Sequence, residues 1–570
     1  MESARIGSVQ ELRAKGCLAG KVGSQPVCVF LSDAQAYAVD DRCPHMGFPL
    51  HRGSVENGLL TCHWHHARFD LASGGTLDPF ADDVRAHDVE IDGDDVVVVL
   101  RPVADLVGHH LRRLTEVLEQ GLTLVLAKAV LGLMETLGPE AGAAAALRVG
   151  VDFGIVNRAA GWGAGLTVLT AMANVLPVLD APDRPLALVH GLAFVSRDTR
   201  GHPPRFALAP LAGPVPSERL RSWYRRFVDT RNGDASERVL ATAAASGAGP
   251  AELAGLMGAA VTDHLFVDGG HSIDFTNKAF EALDHLGWDQ ASEVLCSMAH
   301  QTAAAARSEE TGEWRHPYDL PSLLANIQST PPSLADRPAT FAGDDDVDAL
   351  AWTILGDDPA AVIAGLNHAV ERGASGEELA RAVAYAAALR LTRFHTQNDH
   401  GDWDVVHHGF TAANAVHQLI QRAPTPELLR GVYQGALRVF LDRFLNVPAA
   451  RLPSANPGGE ERGDLVDLQA CWDQEGKVDQ AGVIVYGWLR SGGGRAAVVA
   501  ALGSALLAED AEFHWFQTYE AAVRQSGTWP EGSEEANLIL VGAARFLAAH
   551  TPTRRELPQV VRIASGPSLK

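Results

Sequence analysis

The chain has 570 residues, of which 46% are hydrophobic and 21% charged, and its formal net charge is −23. This length exceeds what a single hydrophobic core supports, so we expect a globular protein of several domains. The negative charge argues against nucleic acid and anionic membranes as primary partners. The chain begins without an apolar signal core, has no run of about 20 apolar residues, and contains only six cysteines. We therefore expect a cytoplasmic protein with reduced thiols.

The first part of the chain predicts a small antiparallel β-domain. Short β-branched segments such as Pro26–Leu31, Ala36–Asp40 and Val89–Leu100 are separated by turn residues. Asp92 and Gly93 fit a tight turn between two strands. We assign residues 1–104 to this domain.

Four metal-ligating residues lie in this domain with a distinctive spacing. The sequence reads Cys43-x-His45, then sixteen residues, then Cys62-x-x-His65. Two thiolates suit the ferric iron of a 2Fe–2S cluster, and two neutral imidazoles on the other iron raise its reduction potential. A zinc site with two cysteines and two histidines is the alternative, but in the usual zinc finger both cysteines come first.

The residues around these ligands closely resemble Rieske ferredoxins and the Rieske domains of ring-hydroxylating oxygenases. The residues that carry the resemblance are Pro44, Gly47, Trp64, Ala67-Arg68-Phe69-Asp70 and Gly74. The resemblance covers about residues 5–103 and implies a Rieske-type 2Fe–2S cluster held by the four ligands above. The family usually has glycine where this chain has His66, so an additional imidazole lies near the cluster. Since no flavin or NAD domain is recognisable, the electrons must come from an external donor, either a ferredoxin reductase or a ferredoxin.

From about Ala104 onward, apolar residues recur three and four positions apart, which is typical of helices. Ser375 and Glu378 form a capping box, and Pro359 and Pro426 each occupy a first helical position. The predicted fold class is therefore a small all-β N-terminal Rieske domain followed by a large, alanine-rich all-α region.

Two breaks divide the helical region. The proline-rich stretch Pro317–Asp348 predicts a long loop, and Ser454–Gly463 predicts a linker. We assign residues 105–455 to a histidine-rich catalytic domain and residues 456–570 to a C-terminal helical unit.

The helical region lacks the β-rich catalytic domain of ordinary Rieske oxygenases and their usual iron-binding motif, so any second metal site must be built differently. Histidines are dense in residues 262–288 and 393–418. A single imidazole on an apolar helix is more often a hydrogen-bonded core residue than a ligand. Several of them beside carboxylates favour a non-heme iron site within a helical bundle. We draw its candidate ligands from His264, His271, His395 and His408, with His190 in reserve.

His264 and His271 are seven residues apart, so they share a helix face if one helix runs through Gly269 and Gly270. The helical part also resembles the questin-oxidase-like family, whose fungal members oxidatively open polyketide rings. The segments that carry this resemblance are His264–Phe275 and Asp402-Trp403-Asp404-x-x-His407-His408. It covers about residues 145–450 and implies an oxidative activity without identifying catalytic residues.

Two functions follow from these patterns. The first is an oxygenase or oxidase in which the cluster supplies electrons to a non-heme iron that acts with O2 on a small organic substrate. The second is a Rieske electron-transfer or redox-sensing protein whose helical region is a non-catalytic interaction scaffold. Metal-independent catalysis of the questin-oxidase kind is a third interpretation. The pattern is compatible with an oligomer and does not identify the substrate.

Overall fold

A computed structural model of the protein describes residues 2–102, 105–311, 318–329, 332–334, 340–341, 343–453 and 464–565. The chain forms two compact units, Met1–Val149 with Gln559–Lys570, and Gly150–Pro558. The predicted fold class is confirmed: an antiparallel β-domain comes first, and helices follow it.

Nine strands and one short helix build the N-terminal domain. They are β1 (Ser3–Ser8), α1 (Val9–Lys15), β2 (Cys17–Val22), β3 (Gln25–Ser32), β4 (Gln35–Asp40), β5 (Ser54–Glu56), β6 (Leu59–Thr61), β7 (Arg68–Asp70), β8 (Ala86–Asp92) and β9 (Asp95–Val99). Six strands form one sheet in the order β1-β9-β8-β4-β3-β2, and β5-β6-β7 form a second, three-stranded sheet. The predicted turn at Asp92 and Gly93 joins β8 to β9.

Strand β3 separates two hydrophobic cores. Successive side chains of a strand point to opposite faces, so Val27 and Val29 enter a core with Leu12 and Val98. Cys28 and Phe30 enter the other core, which also contains Cys43, Cys62, Leu60 and Phe69. The second core therefore fixes the two predicted ligand loops against the larger sheet.

Helices make up the rest of the described chain. The first three are α2 (Leu106–Gln120), α3 (Thr123–Leu137) and α4 (Pro139–Val156). The next group is α5 (Ala164–Val175), α6 (Arg184–Thr199), α7 (Ser217–Asp229), α8 (Gly233–Ala245), α9 (Pro250–Val261), α10 (His271–Leu286), α11 (Ala291–Cys296), α12 (Ala299–Ala304), α13 (Leu320–Ser329), α14 (Gly343–Ile354), α15 (Pro359–Glu371), α16 (Gly376–Thr392), α17 (His400–Arg422) and α18 (Pro426–Asp442). The last are α19 (Leu465–Trp472), α20 (Val478–Arg490), α21 (Arg495–Leu507), α22 (Phe513–Ser526), α23 (Glu534–His550) and α24 (Glu556–Ser565).

The predicted helix starts are confirmed. The Ser375 hydroxyl accepts a hydrogen bond from the Glu378 N–H at 3.1 Å, and α15 and α18 begin at Pro359 and Pro426. No helix within the described ranges is both long enough and apolar enough to cross a membrane.

Two expectations about the helical region need revision or stay open. The stretch Pro317–Asp348 is not a simple loop, because its described part contains α13 and the start of α14. The proposed linker Ser454–Gly463 lies outside the described residues. The three-part domain division therefore stays a prediction.

Candidate metal centres

The two predicted cluster loops have the same hydrogen-bonded frame. The first follows β4, and the second connects β6 to β7. In the first loop the Cys43 N–H donates to the Phe48 carbonyl at 2.8 Å, and in the second the Cys62 N–H donates to the Ala67 carbonyl at 2.9 Å. Each bond spans five residues, so each loop folds back on its cysteine.

The fourth residue after each cysteine has a left-handed backbone. Gly47 has φ 81° and His66 has φ 61°. Their N–H groups donate to the carbonyls of Cys43 and Cys62 at 2.7 and 3.0 Å. Glycine adopts this conformation without strain, whereas histidine does not. The substitution noted at His66 therefore falls at a position where the loop requires positive φ.

The predicted cluster ligands converge at the ends of these loops. The thiols of Cys43 and Cys62 are buried, and burial, together with the neighbouring Cys62 thiol, raises the pKa of Cys43 to about 11. The rings of His45 and His65 lie 4.9 Å apart between centroids, His45 half-buried and His65 exposed. Among the described residues, none forms a hydrogen bond with the buried Nδ1 of His45. Two buried sulfurs and an unpaired imidazole nitrogen fit the donor set of a Rieske-type 2Fe–2S cluster.

Lys128 supports the first loop. Its Nζ donates to the backbone carbonyls of Pro44 and His45. Burial lowers the pKa of Lys128, while Asp82 opposes that shift. Lys128 of α3 thus holds the loop that contains the predicted ligands Cys43 and His45.

A second cluster of imidazoles lies in the helical region, where three helices meet. We call His271 of α10, His408 of α17 and His514 of α22 the histidine centre. The Nε2 atoms of His408 and His514 are 3.2 Å apart. The ring of His271 is 4.6 Å from that of His408 and 5.7 Å from that of His514, measured between centroids. One nitrogen from each ring lies within 4.8 Å of the others, which is the spacing of a metal-ligand set.

A strained turn positions His271. Phe266, Asp268 and Gly270 have φ values of 44°, 52° and 108°, so α10 begins at His271 itself. The condition under which His264 and His271 would share one helix face, a helix running through Gly269 and Gly270, is therefore not met. Strained non-glycine backbone of this kind is concentrated at functional sites.

His407 and Asp404 adjoin the histidine centre on α17. The ring of His407 is 4.1 Å from that of His514 between centroids, and Asp404 Oδ1 is 3.7 Å from His514 Nδ1. His407 is fully buried, and within the described ranges neither of its ring nitrogens has a hydrogen-bond partner. An unpaired buried polar group is costly, so these nitrogens indicate a ligand.

The electrostatics keep His271 and His408 neutral. Burial lowers the pKa of His271 to about 4, and His514 contributes to that shift. Burial, together with His271 and His514, lowers the pKa of His408 to about 2. A neutral imidazole has a free lone pair, which is the form that ligates metals.

The other candidate histidines lie elsewhere. His264 bonds to Glu309 at 2.6 Å and to Asp229 at 3.1 Å. His190 is buried and bonds to the Leu507 carbonyl at 3.1 Å. His395 lines a separate cavity of about 710 Å³. The structure thus brings together only His271 and His408 of the proposed set.

His514 is the functional residue that the sequence analysis did not select. It lies 106 residues beyond His408, outside both histidine-dense segments. The sequence feature that could have pointed to His514 is the acidic segment Glu509-Asp510-Ala511-Glu512, which lies just before it. His407 was within a dense segment but was not chosen.

A small cavity of about 40 Å³ adjoins His408. Its lining is mostly apolar or glycine, including Phe266, Val267 and Ile273. The polar group Gln434 is already bonded, because its Nε2 donates to the Thr262 carbonyl at 3.1 Å. A cavity of this size accommodates a molecule such as water or O2 but is too small for an aromatic ring, which needs about 150 Å³.

Comparison with known proteins bears on the N-terminal domain. Residues 2–99 match the Rieske [2Fe-2S] domain. The mouse apoptosis-inducing factor 3 is 29% identical over 79 residues, which are 14% of this chain, and the chain spans only 13% of that relative's length. The ferredoxin component of biphenyl 2,3-dioxygenase from Rhodococcus jostii is 29% identical over 101 residues, covering 18% of this chain and 94% of that protein.

Among solved structures, the ferredoxin of carbazole 1,9a-dioxygenase from Nocardioides aromaticivorans covers 18% of this chain and 100% of its own. Its sequence identity is 26% and its TM-score is 0.17. The family match includes the complete segment that contains Cys43, His45, Cys62 and His65. Residues 2–99 of this protein are therefore a Rieske [2Fe-2S] domain.

Proposed function

We propose that the protein is an oxygenase or oxidase in which the Rieske domain supplies single electrons to an iron-binding site at the histidine centre. The substrate is a small organic molecule, O2 is the oxidant, and a ferredoxin reductase or ferredoxin is the external electron donor. The observation that carries this proposal is the convergence of three imidazoles from three different helices.

The Rieske domain has the features of an electron-transfer module. A bound 2Fe–2S cluster supplies one-electron redox chemistry. Cys43 and Cys62 would hold it from the protein interior, whereas His45 and His65 would hold it on the solvent side. The exposed ring of His65 offers a contact point for a redox partner. One of the similar proteins is named as the ferredoxin component of biphenyl 2,3-dioxygenase. That name supports an electron-transfer role for this domain.

The histidine centre has the features of an open metal site. An iron ion there supplies the ability to bind and reduce O2 when its coordination is incomplete. His271, His408 and His514 would hold that ion, and His407 adds an imidazole beside them. Asp404 lies 3.7 Å from His514 Nδ1. A carboxylate beside a metal-binding imidazole helps to orient the ring.

The resemblance to questin-oxidase-like proteins supports an oxidative reaction on a cyclic substrate. Its segments include His271, Asp404, His407 and His408, all of which lie at or beside the histidine centre. The residues of the two segments are far apart in the sequence but lie close together in the folded protein. Oxidative opening of a ring is the activity that the resemblance favours, and the 40 Å³ cavity beside His408 fits O2 rather than the ring itself.

Iron analysis of the full-length protein tests the proposal. We expect the two irons of the cluster plus one further iron per chain. His514→Ala should remove the further iron and leave the cluster's electron paramagnetic resonance signal intact. His264→Ala is the matched control and should retain both, because His264 pairs with Glu309 and Asp229 outside the centre.

Protein that contains only the cluster irons and shows no substrate-dependent O2 uptake would contradict the proposal. That result would favour the second candidate function, an electron carrier or redox sensor with a helical scaffold. The specific observation in favour of that candidate is the match to a dioxygenase ferredoxin component over nearly its full length.

A further inference from the structure

The ring of His514 has a different neighbour on each side. Its Nε2 is 3.2 Å from His408 Nε2, which belongs to the histidine centre. Its Nδ1 is 3.7 Å from Asp404 Oδ1. The two nitrogens of an imidazole point away from each other, so a single metal ion binds only one of them. When Nε2 serves the histidine centre, the Nδ1 side of His514 is therefore left for another ligand.

A second set of ligand atoms includes His514. Asp404, His407 and His514 each offer one donor atom, and these atoms lie within 4.8 Å of one another. Asp404 and His407 are three residues apart on α17, so they lie on one face of that helix. The rings of His407 and His514 are 4.1 Å apart between centroids. We call Asp404, His407 and His514 the second metal position.

The contact between Asp404 and His514 is too long for a hydrogen bond but suits two ligands of one ion. Hydrogen bonds from N–H to oxygen rarely exceed about 3.2 Å. Two ligands with metal bonds of about 2.1 Å are separated by about 3–4 Å. The 3.7 Å between Asp404 Oδ1 and His514 Nδ1 lies in that range. Two imidazoles and one carboxylate are also a donor set that binds Fe²⁺ and Zn²⁺ in proteins.

His407 differs from the other buried histidines of the described chain. His87, His190 and His417 each have a hydrogen-bond partner, at 2.8, 3.1 and 3.2 Å respectively. Among the same described residues, neither ring nitrogen of the fully buried His407 has one. A buried polar atom without a partner is costly. A bond to a metal ion would satisfy one of these nitrogens, so a ligand role explains His407 better than packing does.

Two metal positions also explain the adjacent histidines of α17. Consecutive residues of a helix point about 100° apart. His408 is grouped with His271 and His514, whereas His407 is grouped with Asp404 and His514. One helix thus supplies a ligand to each position, and His514 of α22 is common to both.

Helix α23 lies beside the second metal position. His550 Nδ1 is 2.7 Å from the Phe546 carbonyl oxygen. Since a carbonyl oxygen only accepts, Nδ1 carries the proton of the neutral ring and Nε2 has the lone pair. That Nε2 is 3.8 Å from Asp404 Oδ1. The second metal position therefore lies where three helices meet, and the partly exposed Asp404 gives an ion access from solvent.

We propose that the second metal position binds a divalent metal ion of the first transition row, and that the His514 ring bridges it to the iron of the histidine centre. This inference rests on the proposed function, because the two ions share His514. A neutral imidazole has one N–H, so the bridge forms only when that bond breaks and its proton goes to solvent. Each nitrogen lone pair then binds one ion. The second cation stabilises negative charge that develops on oxygen as O2 is reduced.

Cobalt binding to the full-length, iron-loaded protein tests this proposal without measuring activity. Co²⁺ is added in the absence of O2, and bound metal is measured by equilibrium dialysis and by the visible absorption of Co²⁺. We expect one Co²⁺ per chain, bound without loss of iron from the histidine centre. Zn²⁺ should compete for the same position, because imidazole and carboxylate ligands suit both ions.

Two variants remove ligands of the second metal position that the histidine centre does not use. Asp404→Asn should retain the iron but bind Co²⁺ at least about 100-fold more weakly, because even the loss of a partner outside the ligand set costs roughly 10- to 100-fold in metal affinity. His407→Leu should have the same effect, whereas a histidine that only packs would tolerate this apolar replacement. If His407→Leu does not fold, the partly exposed Asp404 decides.

The matched control is Asp402→Asn. It removes the same charge from α17 but lies two residues before Asp404, on the opposite face of the helix. It should bind Co²⁺ as tightly as the wild type does. Equally weak binding in Asp402→Asn and Asp404→Asn would reduce the effect to general charge and overturn the proposal.

The bridge has a spectroscopic signature of its own. One imidazole that binds two paramagnetic ions couples their electron spins. Added Co²⁺ should therefore change the electron paramagnetic resonance signal of the chemically oxidised iron at the histidine centre, whereas diamagnetic Zn²⁺ should leave that signal at full intensity. In Asp404→Asn neither ion should alter it. Bound Co²⁺ that leaves the wild-type iron signal unchanged would refute the bridge.

The outcomes separate this inference from the proposed function. Wild type without iron at the histidine centre would overturn both. Iron-loaded wild type that binds no Co²⁺, or that loses its iron as Co²⁺ enters, has a single metal position and overturns this inference alone. Equal Co²⁺ binding by the wild type and Asp404→Asn would do the same.

Discussion

The second cluster loop contains a backbone conformation that its residue type does not favour. His66 has φ 61° at the position equivalent to Gly47 of the first loop. A left-handed conformation costs a non-glycine residue about 1–2 kcal/mol. The loop nevertheless closes, because the His66 N–H donates to the Cys62 carbonyl.

Replacing His66 by glycine should stabilise the Rieske domain. His66→Gly removes the left-handed strain, and the greater freedom of glycine in the unfolded chain offsets part of the gain, so we expect about 0.5–1 kcal/mol. The measurement is the thermal midpoint of the cluster's visible circular dichroism in the full-length protein. His63→Gly is the control, because that position has no left-handed backbone, and it should not stabilise. A lower midpoint for His66→Gly than for the wild type would refute the strain.

Lys128 should set the reduction potential of the cluster. Its ammonium bonds to the carbonyls of Pro44 and His45 and therefore lies close to a ligand loop. A nearby positive charge stabilises the more negative, reduced state. We expect Lys128→Met to lower the potential, measured by redox titration of the cluster signal. Lys21→Met, which changes the same charge on strand β2, is the control and should leave the potential nearly unchanged. An unchanged potential in Lys128→Met would show that solvent screens this charge.

Single residues also show where sequence analysis succeeds and where it fails. The four cluster ligands lie in one short segment with a diagnostic spacing, so local sequence was sufficient to identify them. The histidine centre depends on helix packing that no local pattern encodes. His514 joins His408 only because α22 packs against α17, and His264 was unavailable because two nearby carboxylates bind it.

Among the helices, α10 and α22 are joined by a buried ion pair between Lys278 and Glu520. Lys278 lies between Glu281 and Glu520, and all three are almost fully buried. Removing one partner of a buried ionic group leaves uncompensated charge, which costs more than the pair contributes.

Lys278→Met should therefore destabilise the helical region by about 3–5 kcal/mol. The measurement is the urea midpoint of helical circular dichroism at neutral pH. Lys15→Met is the control, an exposed lysine with only a loose contact of 3.7 Å to Glu11, and it should shift the midpoint little. Adding Glu520→Gln to Lys278→Met should recover part of the loss. A fully stable single variant would mean that the carboxylates take up protons without cost.

The predicted starts of the helices were accurate because capping depends on neighbouring residues. The capping box at Ser375 and the prolines at the starts of α15 and α18 all hold. The helix through Gly269 and Gly270, on which a shared face of His264 and His271 depended, does not form. Both glycines have positive φ there, which ends helical hydrogen bonding.

Across the whole molecule, buried histidines link stability to pH. His190, His271 and His408 have pKa values of about 4, 4 and 2, all depressed chiefly by burial. Between about pH 6.5 and 4 the unfolded chain binds protons at these residues and the folded protein does not. The free energy of unfolding of the metal-free protein should therefore fall as the pH decreases through this range.

Two buried carboxyl groups act in the opposite direction. Burial raises the pKa of Asp274 to about 7 and that of Asp442 to about 6, so in the same range they take up protons in the folded state first. The buried histidines are more numerous, and we expect a net loss of several kcal/mol on acidification.

Urea unfolding at a series of pH values measures this slope. His190→Gln should flatten it, because His190 lies outside the histidine centre and its contribution can be removed alone. His368→Gln, an exposed histidine, is the control and should leave the slope unchanged. A slope that is identical in the wild type and His190→Gln would contradict the burial argument.

The division of the chain into an all-β and an all-α part was predictable from the whole sequence. Near residue 104 the strand-like pattern of hydrophobic residues ends and a helical pattern begins. Which helices meet was not, since that depends on contacts between residues hundreds of positions apart. Lys278 and Glu520, for example, are 242 residues apart.

The repeated frame of the two cluster loops has a consequence for protein design. Each loop begins with a cysteine whose N–H donates a hydrogen bond to the carbonyl five residues later. In each loop the fourth residue after the cysteine has a left-handed backbone. The two loops therefore share one backbone pattern. They differ in the position of the histidine, which is two residues after the cysteine in the first loop and three residues after it in the second. A designer could install both copies on neighbouring hairpins of an unrelated sheet, and glycine at the fourth position would be the first choice in each.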